Sequence, residues 1–156
     1  MELVFLKAKQ RLAKEISNKG TTPYPLTKNF TSEHVEVSKT KKGLHNLLKT
    51  LQTQAASGAC LHKGLLKHPL KNESRAMMAD RVASTELLVL DIDGIQMPGS
   101  LTDVRTVAEK IIAQLPECFQ DVSYIAQASA SLGFKKDKVS MHFFFLLDQP
   151  TQPKIL

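Results

Sequence analysis

The sequence has few of the features that mark secreted, disulfide-stabilised or membrane-spanning proteins. It contains two cysteines in 156 residues, Cys60 and Cys118, which have no CxxC spacing and follow no signal peptide. This excludes a disulfide framework and predicts reduced thiols in the core of an intracellular protein. No apolar run reaches the roughly 18 residues that a membrane span requires. No internal repeat or low-complexity tract is present. We therefore expect a soluble protein without a membrane partner.

The composition is that of an ordinary globular chain with a moderate positive charge. Hydrophobic residues make up 42% and charged residues 23%, and this length can bury one core, so one domain is expected. Lys and Arg outnumber Asp and Glu by 21 to 15, which gives a net charge of +6. That excess favours an anionic partner such as nucleic acid or nucleotides, although it is weak evidence on its own.

Hydrophobic periodicity predicts an α+β fold, with a mostly antiparallel sheet and helices packed on it. Glycine and proline mark several element ends, Gly58 after the second helix and Pro116 after the third. The predicted elements are a basic amphipathic helix over 3–16, an irregular connection over 21–30, a helix over 44–55, a short strand over 59–62, a loop or short helix over 63–80, a strand over 87–95, a helix over 104–115 with Thr102 as its N-cap, a strand over 122–128, and a basic hairpin over 134–138 that leads into a strand over 139–147.

Two of these strands carry polar groups within otherwise apolar sequence. The first contains Asp91 and Asp93, and the second contains Ser140 and His142. Residues two apart on a strand share a face, so each pair projects together. If the strands are antiparallel neighbours, all four groups meet at one edge of the sheet. Charge in a buried strand is costly, so its presence there favours a functional site.

The paired aspartates favour a divalent cation over a simple turn. Asp93-Gly94 is a common turn pair, and a lone Asp-Gly would be explained that way. Two ionised carboxylates on one face repel each other, however, and oxygen ligands suit Mg²⁺ or Mn²⁺ rather than zinc. A lone strand histidine is more often a core residue. His142 shares its face with Ser140, however, and both can donate hydrogen bonds to a phosphate, so the core and the functional interpretation of His142 are about equally favoured. The aromatic run 143–145 is assigned to the core.

The spacing of these motifs resembles the archaeo-eukaryotic primase superfamily, in particular the primase-polymerase domains of phage and plasmid replication proteins. Asp91-Ile92-Asp93 is similar to its DxD motif and Ser140-Met141-His142 to its SxH motif. Weaker similarity lies in 58–64, in 73–75, in 129–131 before the SxH strand and in 147–150 after it. The resemblance covers most of the chain from residue 58 onward. Short motifs of this kind are informative together and weak apart.

The resemblance implies a primase-polymerase (RRM-like) catalytic core over 58–156 that follows an N-terminal helical region over 1–57. It implies metal-dependent, template-directed nucleotidyl transfer, with Asp91 and Asp93 holding Mg²⁺ or Mn²⁺ and His142 contacting the phosphates of the nucleotide. The remaining nucleotide-binding residues that it implies are Ser140, Lys138, Lys136, Ser129, Ser131, Arg75 and Lys63.

The expected partners of such a domain are a single-stranded DNA template, nucleoside triphosphates and a helicase domain, in the cytoplasm of a bacterial or phage-infected host. The family also has a third acidic residue on a later strand, and Asp148 follows His142 too closely to replace it. We therefore expect a truncated core, part of a longer replication protein, whose activity requires that missing residue.

Two other functions fit parts of the sequence. A hydrophobic strand ending in DxDG also resembles the first motif of haloacid-dehalogenase-like phosphatases, with Asp91 as nucleophile, Asp93 as acid/base and Ser129 as the second-motif hydroxyl. About ninety residues precede this motif here, and SxH has no part in that chemistry. Alternatively, a non-catalytic nucleic-acid-binding module would use the basic residues of 7–14 and 135–138 on phosphates.

Overall fold

A computed structural model describes residues 1–97, 103–130, 132–134 and 137–153. The predicted α+β class with mostly antiparallel sheets is confirmed. The elements are β1 (Glu2–Lys7), β2 (Glu15–Ser17), β3 (Gly20–Thr22), β4 (Asn29–Glu36), α1 (Gly43–Ala56), β5 (Cys60–His62), β6 (Leu65–Leu66), β7 (Lys71–Ser74), β8 (Ala79–Asp80), β9 (Thr85–Gln96), α2 (Val104–Ile112), a 3-10 turn (Glu117–Phe119), β10 (Ile125–Ala128) and β11 (Lys138–Thr151).

The chain separates into two compact units, and the expected single domain with its division at 57/58 stays a prediction. One unit consists of residues 1–88 and 146–156, and the other of residues 89–145. The boundaries fall within β9 and β11. Within the described ranges, no helix is both long enough and apolar enough to cross a membrane.

The first unit is built on a four-stranded antiparallel sheet in the order β5-β1-β4-β7. Val4, Leu6 and Phe30 of this sheet form a buried cluster with Leu66 and Leu70. Helix α1 contacts β5 and buries Leu47 completely. The helix ends where predicted, because Gly58 has a φ of +79°, a conformation that glycine adopts without steric cost.

The predicted helix over 3–16 is wrong, and with it the helical N-terminal region over 1–57. Leu3, Val4, Phe5 and Leu6 are consecutive and all buried, because β1 lies between β4 and β5 in the sheet. Four consecutive apolar residues match a strand covered on both faces better than one stripe of a helix. The segment 63–80 contains the short strands β6, β7 and β8 rather than a helix, and only 23–28 of the predicted connection lacks regular structure.

The second unit pairs β10 with β11 in an antiparallel hairpin. Its core consists of Val107, Ala108, Ile111 and Ile112 of α2 and of Val139, Met141, Phe143, Phe144 and Phe145 of β11. The predicted helix over 104–115 ends early, at Ile112, and its N-cap is Asp103, whose carboxylate accepts hydrogen bonds from the Arg105 and Thr106 amides. The N-cap predicted at Thr102 lies outside the described residues, as do Lys135 and Lys136 of the basic hairpin.

Both cysteines are exposed, which corrects their assignment to the core. Cys60 lies on the edge strand β5 and Cys118 in the 3-10 turn. The assignment of the aromatic run to the core is confirmed, since the three phenylalanines at 143–145 are at most 5% exposed. Phe143 makes an edge-to-face contact with Tyr124, with ring centroids 5.6 Å apart, and Phe145 makes one with Phe119, with centroids 5.1 Å apart.

Candidate functional site: an Asp-Ser and an Asp-His pair on one sheet face

The strand that carries the two aspartates lies beside the strand that carries Ser140 and His142. In the three-stranded sheet β11 is central, with β10 on one side and β9 on the other. The Met97 amide donates to the Asp137 carbonyl oxygen at 2.9 Å, and the Gly94 amide donates to the Ser140 hydroxyl at 3.2 Å. Residue numbers therefore rise along β9 as they fall along β11, which makes the two strands antiparallel.

The two faces of β11 differ sharply in chemistry. Val139, Met141 and Phe143 are fully buried, whereas Ser140 and His142 point to the opposite face and are partly exposed. Alternation along a strand produces this division, as the sequence predicts. The apolar face anchors the strand in the core, and this fixes the positions of the polar side chains on the open face.

Ser140 links the two strands through its hydroxyl group. Its Oγ donates a hydrogen bond to Oδ1 of Asp93 and accepts one from the backbone amide of Gly94. With both roles occupied, the hydroxyl holds the Asp93 carboxylate in one orientation. The structure thus shows Ser140 acting on Asp93, whereas the sequence interpretation placed it on the phosphates of a nucleotide.

His142 forms the second pair with Asp91. Its Nε2 lies 3.2 Å from Asp91 Oδ1, with 36% of the histidine side chain and 52% of the aspartate side chain exposed. Both groups are therefore reachable from solvent. The predicted meeting of two carboxylates, a serine and a histidine on one face is present in the structure.

The donor set suits a hard cation only if other ligands complete the coordination. No group of three or more His, Cys, Asp or Glu side chains arranged to hold a metal occurs among the described residues. Magnesium commonly takes one or two carboxylates and completes its octahedron with water and substrate phosphates. Asp91 and Asp93, on the same exposed face, provide such a two-carboxylate platform.

Two further predicted residues lie on this part of the sheet. Lys138 is exposed on β11 and shares the face of Ser140 and His142 by alternation. The backbone amide of Ser129 donates to the Ser140 carbonyl oxygen at 3.0 Å, which places Ser129 beside Ser140. Ser131 and Lys136 lie outside the described residues.

Lys63 and Arg75 belong to the other compact unit. Lys63 is exposed, and the Arg75 guanidinium carbon lies 5.7 Å from the centroid of the Phe30 ring. In the same unit, burial and the nearby charge of Arg75 lower the pKa of His62, whose Nε2 is buried without a hydrogen-bond partner in the described structure. The surroundings of Arg75 that the structure shows are thus an aromatic ring and a partly buried histidine.

Sequence reasoning missed Gln127 as a candidate member of the site. Gln127 pairs with His142 in the β10–β11 register and is exposed. Asp91 on β9, His142 on β11 and Gln127 on β10 therefore form a row of polar residues across the three strands. The signal was its spacing, because Gln127 and Ser129 are two apart at the end of a predicted strand.

Comparison with protein-family models, curated proteins and solved structures finds no match to this chain. The resemblance to the primase superfamily therefore has the motif residues and their geometry as its support.

Proposed function

We propose that this chain is a DNA primase-polymerase domain of a phage or plasmid replication protein. Its reaction is metal-dependent, template-directed nucleotidyl transfer for primer synthesis, in the cytoplasm of a bacterial or phage-infected host. The observation that carries the proposal is the pairing of Asp91 with His142 and of Asp93 with Ser140 on one open sheet face. These are the four residues of the DxD and SxH motifs.

Each residue of the site has a distinct task in this proposal. Asp91 and Asp93 hold Mg²⁺ or Mn²⁺, which when bound neutralises phosphate charge and activates the attacking hydroxyl. Ser140 keeps the Asp93 carboxylate aligned, in the way that outer-shell donors orient ligating carboxylates. His142, whose Nε2 lies beside Asp91 in the structure, would donate from Nε2 to a phosphate oxygen of the metal-bound nucleotide. Lys138 adds positive charge on the same face.

The phosphatase alternative leaves half of this geometry without a role. It assigns Asp91 and Asp93 but gives nothing to His142, which lies 3.2 Å from the proposed nucleophile. A passive nucleic-acid-binding module likewise has no need for two carboxylates on its open face, since they would repel phosphate. The primase-polymerase assignment uses all four groups.

The test measures binding rather than turnover, because the family's third acidic residue is unassigned. Titration calorimetry with Mn²⁺ and a nucleoside triphosphate is expected to show binding that requires both ligands. Asp91→Asn should weaken it at least about tenfold, in the range seen when a metal ligand or its support is lost. Asp121→Asn, an exposed aspartate in the same compact unit, is the charge-matched control and should bind like the wild type.

The alternatives predict other results for the same variant. A phosphatase would form a phosphoenzyme with a labelled phosphate donor, and Asp91→Asn would abolish the label. A passive DNA-binding module would bind oligonucleotides equally or more tightly after Asp91→Asn. Wild-type protein that shows no metal-dependent nucleotide binding would refute the proposed function.

A further inference from the structure

A basic pocket lies in the compact unit that does not contain the Asp-His site. It has a volume of about 370 Å³, is open to solvent, and is lined by Lys7, Ala8, Lys9, Arg11, Ala56, Ser57 and Gly58. The cationic side chains and Ala8 come from the end of β1 and the segment after it, and the other small residues come from the end of α1 and the two residues that follow it. Among the residues that the structure describes, none with a carboxylate lines it.

The pocket carries a net positive charge even when the charges near it are included. Lys7 is balanced by Glu33, whose Oε2 lies 2.7 Å from its Nζ. The C-terminal end of a helix carries about half a negative charge. Among the described residues neither Lys9 nor Arg11 has an acidic partner. These two side chains therefore outweigh the helix end and leave a net excess of about 1.5 positive charges.

Capping of α1 does not account for these cations. The Ser57, Gly58 and Ala59 amides already donate to the carbonyl oxygens of Thr53, Ala55 and Gln54, at 3.2, 3.0 and 3.0 Å. Three of the carbonyl groups in the last turn of the helix are thus satisfied by backbone donors, as at many glycine-terminated helices. Lys9 and Arg11 are left available for an external anion.

We propose that this pocket binds a backbone phosphate of single-stranded DNA. Two unpaired cations match phosphate better than a neutral or apolar ligand. Ala8, Ala56 and Gly58 carry at most a methyl group, which leaves room for the deoxyribose and phosphate of a DNA nucleotide. Because the pocket is open, a polymer can enter and leave it. The phosphate site stands on this geometry alone, whereas single-stranded DNA as the occupant rests on the proposed function.

The experiment measures binding of a fluorescent thymidine oligonucleotide in EDTA, where the metal-dependent site plays no part. Lys9→Gln with Arg11→Gln is compared with Lys28→Gln with Lys49→Gln, a control of equal charge change at exposed positions away from the pocket. Each lost phosphate contact lowers the slope of log K against log salt by about 0.7 for single strands. The pocket variant should lose about 1.4 from the slope, and the control much less.

A second measurement uses the wild-type protein and so does not depend on how the variants fold. Lys9 should be protected by the oligonucleotide from lysine acetylation, while Lys28 and Lys49 stay reactive. The Lys9→Gln, Arg11→Gln variant should keep the metal-dependent nucleotide binding of the wild type, so this proposal and the proposed function can fail separately.

Two results would overturn the inference. The first is an equal loss of the salt-dependence slope in the pocket and control variants, with Lys9 unprotected, which would show that net charge alone attracts the oligonucleotide. Displacement of the oligonucleotide by metal-free ATP from the wild type, with ATP binding lost in the pocket variant, would assign the pocket to a free nucleotide instead.

Discussion

Replacing Ser140 with alanine removes the hydroxyl that links β9 to β11 in the candidate site. In the structure this hydroxyl donates to Asp93 and accepts from the Gly94 amide at 3.2 Å. A hydrogen bond to a charged group contributes about 1.5–3 kcal/mol when buried. Because Asp93 is exposed, water replaces part of what is lost, and the free energy of unfolding should fall by only about 1 kcal/mol.

The effect on metal binding should be larger than the effect on stability. Loss of an outer-shell partner typically lowers metal affinity about 10–100-fold. For Ser140→Ala this corresponds to a binding free energy weakened by about 1.4–2.7 kcal/mol. If Ser140 acts by orienting Asp93, its removal from an Asp93→Asn background should have little further effect, since the two residues form one unit.

The assay is Mn²⁺ binding followed by electron paramagnetic resonance, with urea unfolding of the same samples. Ser123→Ala is the matched control, because Ser123 is exposed in the same compact unit and lies outside the site. It should leave both quantities unchanged. Wild-type Mn²⁺ affinity in Ser140→Ala, or additive losses in the double variant, would show that Ser140 does not position Asp93 for a metal.

Two further predictions concern stability. Phe143 is fully buried, so Phe143→Ala should lower the free energy of unfolding in urea by about 3–5 kcal/mol, whereas Phe134→Ala, at a residue 68% exposed, should change it by about 0.5 kcal/mol or less. A smaller loss at Phe143 would contradict the core described above. Burial and Arg75 lower the pKa of His62 in the folded state below its ordinary 6.5, so the unfolded chain binds the proton first. The stability that His62 contributes is present above pH 6.5 and is lost as the pH falls through the folded pKa. His62→Gln should therefore make Tm less sensitive to acid between pH 7.5 and 5.5, an effect that the exposed control His45→Gln should not reproduce.

The arrangement of the site could be predicted because it depends on short-range rules. Side-chain alternation along a strand is set by backbone geometry, so Asp91 with Asp93, and Ser140 with His142, share a face in any sheet. The antiparallel pairing of the two strands was a condition of that prediction, and the structure meets it. The helix ending before Gly58 was likewise visible, because glycine adopts the left-handed conformation that ends a helix.

Other features could not be derived from local pattern. The segment after Met1 matches a basic helix as well as a strand, and only the tertiary fold decides between them: the segment pairs with β4 and β5, and packing on both faces of the sheet buries Leu3 through Leu6. Gln127 enters the row of His142 and Asp91 through the β10–β11 register, which no single-strand pattern specifies. The exposure of Cys60 follows from its place on an edge strand.

By itself the sequence determined the α+β class, the two polar faces and the aromatic core strand, because these follow from periodicity and from the cost of burying charge. The tertiary structure alone decided that Ser140 holds Asp93, that the N-terminal segment is a strand, and that Lys9 and Arg11 meet the end of α1 in one pocket. The physical reason is that each of these contacts joins residues far apart in the chain, so it forms only when long-range packing brings their backbones together.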